Sequence, residues 1–171
     1  MRAKAVVGVM VCAAALASGC GTVAGEAKPQ DPTASQPEFN PCDDLSDDAV
    51  RAAGMDPATE AREILGVQQP GWSICEWDGP SYALGVAATN YSLGDVRRNP
   101  EFKGFEPVEV PGRSAIRFGS ASGGSDDRCY VATPSGSGTV LISATLPVGR
   151  PGDPCALALD GTRVLLPYLP E

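Results

Sequence analysis

Six cysteines, no histidine and 21 carboxylates define the chemistry open to this chain. Without histidine the usual general base near neutral pH is missing, which removes Ser-His-Asp hydrolysis, Cys-His proteolysis and histidine-ligated metal catalysis. A Ser-Lys dyad has no footing either: Lys103 is the only lysine beyond residue 28, and no S-x-x-K occurs. Asp126 and Asp127 offer paired carboxylates of the kind a glycosidase uses, but in the Gly-Ser stretch 119–127 they read as solvated loop residues. No catalytic residue is assigned and no cofactor is called for. The expectation is a domain that binds rather than catalyses, not an enzyme.

The cysteines sort by position. Residues 1–19 read as a signal peptide, with Arg2 and Lys4 ahead of an apolar run from Ala5 to Ala17 that is too short to span a bilayer. Cys12 lies inside that run and would be discarded with it. Ser18-Gly19-Cys20 fits a lipobox, in which cleavage precedes a diacylated, palmitate-type cysteine, although Ala17 stands where leucine is commoner. Cys20 is therefore the expected lipidation site, and the expected location is the outer face of the cell membrane. Cleavage after Ala15-Leu16-Ala17, giving a free secreted protein, is the alternative. Residues 20–38 form the lipidated start and a polar, Pro-containing linker, which as a coil of about 18 residues would span on the order of 25 Å.

Charge agrees with a covalent anchor. The net charge is −8, and with Arg2 and Lys4 taken from the 13 basic residues, 11 remain against 21 acidic ones. No basic patch exists for phosphate contacts or for adsorption to anionic lipid, so nucleic acid is excluded as a partner.

Cys42, Cys75, Cys129 and Cys155 fall within residues 39–171, one domain's worth of chain. In an exported protein four spaced cysteines read as two disulfides, and with no C-x-x-C and no histidine a zinc site is excluded. Three connectivities are open. Cys42 to Cys75 with Cys129 to Cys155 is preferred, because each bridge then ties a helix start to a nearby strand and the loops do not cross. Asp43, Asp44, Asp47 and Asp48 suggest calcium, but the EF-hand spacing and its glycine are missing, so helix capping is the reading and no metal is assigned.

The elements that position these residues follow from local signals. Ser46 caps a helix that Gly54 ends, Ser92 caps a short helix stopped by Pro100, and Asp153-Pro154 opens a last helix with Cys155, Leu159, Thr162 and Leu166 on one stripe. Strands are expected at 72–77, 82–89, 105–110, 113–118, 129–133 and 139–146. In the second strand Tyr82, Leu84, Val86 and Ala88 form a bulky face, and Ala83, Gly85 and Ala87 a small face onto which a helix would pack closely. Trp72 and Trp77 are a conceivable sugar platform, but tryptophan beside a disulfide is expected in the core. The result is an α+β domain: an antiparallel sheet of about six strands backed by two or three helices.

Several motifs occur in a fixed order: Ser18-Gly19-Cys20, Phe39-Asn40-Pro41-Cys42, Pro70-Gly71-Trp72-Ser73-Ile74-Cys75-Glu76-Trp77, Thr89-Asn90, Arg97-Arg98-Asn99-Pro100 and Asp153-Pro154-Cys155. As a set they resemble the actinomycete lipoprotein family catalogued as domain of unknown function 3558. The resemblance implies an anchor role for Cys20, pairing of the other four cysteines, and no assigned reaction. The element order is also similar to the extracellular sensor domain of a mycobacterial serine/threonine kinase. The expected role is a monomeric accessory or binding domain for a small envelope ligand or a protein, with a sensor-like or structural adaptor as the alternative. Arg97, Arg98 and Arg113 are candidate contact residues that read equally well as surface charges.

Overall fold

The computed structural model describes residues 34–121, 127–136 and 138–171. The expected leader with Cys12, the anchor Cys20, the linker up to residue 33, and Asp126 lie outside the described residues.

Capping side chains set the helices. Asn40 accepts from the Cys42 N–H at the start of α1 (Pro41–Asp44), and Ser46 accepts from the Ala49 N–H at the start of α2 (Asp47–Ala52). Gly54, at φ +80°, turns the chain after α2. Ser92 and Asp95 form a reciprocal capping box on α3 (Leu93–Arg98). Asp153 accepts from the Cys155 and Ala156 N–H groups at α4 (Pro154–Leu165), with Pro154 at its first position. Asp47 and Asp48 stand in the first turn of α2, as expected, and also pair with Arg51, while Asp43 pairs with Arg62.

Seven strands form one antiparallel sheet: β1 (Ala61–Arg62), β2 (Trp72–Asp78), β3 (Ala83–Thr89), β4 (Phe102–Val110), β5 (Arg113–Ser120), β6 (Arg128–Ser135) and β7 (Gly138–Thr145). Their order is β1-β2-β3-β7-β6-β5-β4. The α+β expectation holds. The extra strand is the two-residue β1, and the extra helix is the single turn α1, each too short to leave a periodic signal.

Helices α1, α2 and α4 cover one face. Cys75, Trp77, Leu84, Val86, Ala88, Val140 and Ile142 point into this core and meet Leu45, Val50 and Leu165 from the helices. Among the described residues the small face of β3 therefore carries no large helix, contrary to the expectation. Close approach is achieved instead by small residues on the helix: a Cβ on Gly161 would come within 2.7 Å of Leu84 Cδ1. The buried stripe of α4 runs through Pro154, Ala158, Gly161, Thr162 and Leu165, with Leu159 and Leu166 at its half-buried margin, one position round from the stripe expected. The Cys42–Cys75 bridge fixes α1 to β2, and Cys129–Cys155 fixes β6 to α4, the preferred pairing.

On the opposite face the single turn and a half of α3 covers only one end, where Val96 packs with Ile116, Phe118, Ala132 and Leu141. Among the described residues the rest of that face is open.

Candidate functional site

The open part of the sheet is a cleft of about 570 Å³. Its floor follows from strand register. Across β2, β3, β7 and β6 one row runs Glu76, Gly85, Ser143, Tyr130, and the next runs Ile74, Ala87, Leu141, Ala132. Gly85 is the smallest residue of the first row and Ala87, with Ala132, of the second, so the floor is hollow along β3. A Cβ on Gly85 would stand 2.6 Å from Ser143 Oγ, so a larger residue there would force that hydroxyl to turn away.

One wall is aromatic. Phe102 lies edge-on to Phe118 and Tyr130, with ring centroids 4.8 and 5.2 Å apart, and Phe118 stacks on Tyr130 at 5.3 Å. Trp72 lies 6.0 Å from Tyr91 and also lines the cleft. The two tryptophans thus divide: Trp77 is core at 2% exposure, as expected, whereas half-buried Trp72 faces the cleft. The other wall is the segment that includes β1 and the loop after it, contributing Glu63, Ile64 and Leu65.

That loop is unusual in backbone and exposure. Glu63 and Leu65 have φ of +57° and +53°, the left-handed region that costs a non-glycine residue roughly 1 to 2 kcal/mol. A bridge between Ile64 and Val67 and a bond from the Glu63 N–H to the Ile74 carbonyl, 2.9 Å, hold it against β2. Leu65 is 98% exposed, with Ile64 at 55% and Val67 at 60%.

The polar groups of the cleft are few. On the floor Arg128 Nη2 meets Glu76 Oε2 at 3.1 Å, and Arg128 Nε donates to Thr145 Oγ1 at 2.6 Å. At the rim Arg62 is held by Asp43, Glu60 and the Cys42 carbonyl. Glu63 differs. Its Oε2 is shut off from water without a hydrogen-bond partner, the one such side-chain atom among the described residues. Burial pushes its carboxyl above the usual range, against the opposing pull of the Ile74 backbone N–H.

The residues singled out by sequence lie elsewhere. Arg113 donates to the Pro170 and Leu169 carbonyls and holds the C-terminal segment, Arg98 pairs with Asp95, and Arg97 sits exposed on α3. Asp127 caps no cleft wall; its carbonyl accepts from the Leu146 N–H. Among the described residues Cys42, Glu60 and Cys75 stand close enough to share a metal, but both sulfurs are spent in the disulfide. The sequence reading missed Glu63, Glu76, Arg128 and Ser143. The available signal was Gly85, since a glycine inside a strand marks a close approach from one face.

A family model described as "Protein of unknown function (DUF3558)" matches residues 15–168. No curated protein and no solved structure matches the chain, so the similarity of element order to a kinase sensor domain carries no argument.

Proposed function

The chain belongs to the DUF3558 family of proteins of unknown function, and we propose that it is a non-catalytic binding domain, lipid-anchored through Cys20 outside the cytoplasm, that takes a small ligand in the cleft. The observation that supports this is the cleft itself. It is already formed, mostly apolar, of ligand size, and supplied with a few polar groups converging on one floor. The absence of histidine from the sequence leaves these groups without the usual proton-transfer partner, which favours binding over catalysis.

A neutral fluorescent probe such as N-phenyl-1-naphthylamine tests the reading. It should bind at one saturable site, and Ala87→Phe, which fills the floor without touching the helix-covered core, should weaken binding by about tenfold or more while the melting temperature holds. No saturable binding would remove the cleft as a ligand site. The second reading, an adaptor acting only through protein contacts, would then gain from the exposed Ile64, Leu65 and Val67.

A further inference from the structure

We propose that the ligand of this cleft is an amphiphile with an apolar body and a primary ammonium head, and that Glu63 receives the head. The inference rests on the cleft being a ligand site and deepens that reading.

The walls decide the body. Trp72, Ile74, Phe102 and Leu141 offer apolar surface continuous with Ile64 and Leu65 at the mouth. Covering such surface with an alkyl or isoprenoid body removes both partners from water.

The charges decide the head. Both arginines lining the cleft are engaged, Arg128 by Glu76 and Arg62 by Asp43 and Glu60. An anionic head would meet arginines whose charge is already offset by Glu76, Asp43 and Glu60, and would approach a chain of net charge −8. Among the described residues Glu63 alone brings a carboxylate oxygen that has no donor and no surface open to solvent. A buried acceptor left unmade is costly, so a ligand that carries its own N–H donor gains what solvent cannot supply. Positive charge strengthens that bond, which favours ammonium over hydroxyl. A quaternary ammonium has charge but no N–H, so it would gain less. The left-handed backbone at Glu63 and Leu65 fits a loop held for binding rather than by local preference. Because Oε2 is closed off in this structure, the loop 61–67 has to yield as the head enters.

Four ten-carbon ligands that differ only in the head test this: decylamine, decanol, decanoate and decyltrimethylammonium. Each is used below its micelle concentration to displace N-phenyl-1-naphthylamine from the mature chain, residues 20–171, carrying Cys20→Ser in place of the lipidated cysteine. The expected result is a preference of about tenfold for decylamine over the other three, lost in Glu63→Gln while the neutral probe still binds. Equal displacement by all four, a preference for any other head, or an amine preference that survives Glu63→Gln overturns the assignment of head and residue but leaves the cleft as a ligand site. Failure of the probe to bind wild-type protein overturns both.

Discussion

At Glu63 a carboxylate pays for its position in the folded chain, and the sign of that cost can be worked out. Burial raises its folded pKa above the unfolded one. A group of this kind costs nothing below the unfolded pKa, where it is protonated in both states, and its penalty grows as pH rises through the folded pKa. Glu63→Gln should therefore raise the melting temperature at neutral pH, and the gain should vanish below about pH 4. Equal melting temperatures for the two proteins across the whole range would mean that the carboxyl is not desolvated. Asp95 behaves in the opposite sense. Hydrogen bonds from Ser92 hold its carboxyl below the usual range, so its support for α3 is present above the ordinary carboxylate pKa and is lost in acid. The Glu63 environment could not be read from sequence, because it depends on the Ile74 strand that folding brings to it, whereas the Asp95 cap follows from its spacing of three residues from Ser92.

Elements with a local cause were legible and elements with a distant cause were not. Caps at Ser46, Ser92 and Asp153 announce their helices because the capping oxygen and its N–H partner are three residues apart or fewer. Replacing Ser92 with alanine should cost about 1 kcal/mol in a denaturant titration, and no change would mean that α3 is held by Val96 packing alone. The hairpins β4–β5 and β6–β7 were likewise visible in their turns and alternation. What failed was the choice of face for β3. Alternation shows that its two sides differ, but which side meets helices depends on the partners that tertiary packing supplies. Here Gly161 on α4 provides the closeness, so Gly161→Val should destabilise by roughly 1 to 3 kcal/mol through its clash with Leu84. The cleft was invisible for the same reason: its floor draws on four strands aligned by register, with no motif in any one of them.

Across the whole molecule, the two disulfides join the helical layer to the sheet at separate points and leave the cleft face unbridged. With sequence separations of 33 and 26 residues, loss of either should cost about 3 to 4 kcal/mol in the chain-entropy account. Cys129→Ala with Cys155→Ala, followed by urea unfolding, measures it. The anchor proposed at Cys20 has its own readout. Protein extracted from membranes should have a mass that begins at Cys20 with acyl chains added, and it should rise by about four protons on reduction. An unacylated mass beginning near Ser18 would make the protein secreted instead. Two contacts of the described chain bear on that geometry. The Asn90 side chain donates to the Ser35 carbonyl at 2.7 Å, and Gln36 donates to the carbonyl of Gln69, a cleft residue, at 3.2 Å. Part of the expected linker is thus docked, and the chain enters the domain beside the Trp72 end of the cleft. With a lipid at Cys20, the cleft would be leashed within reach of the bilayer surface. Capture of a membrane-borne amphiphile becomes a search over a small disc of membrane rather than through bulk solvent. The cleft would then sample the amphiphile at its concentration in the bilayer rather than at its much lower concentration in free solution.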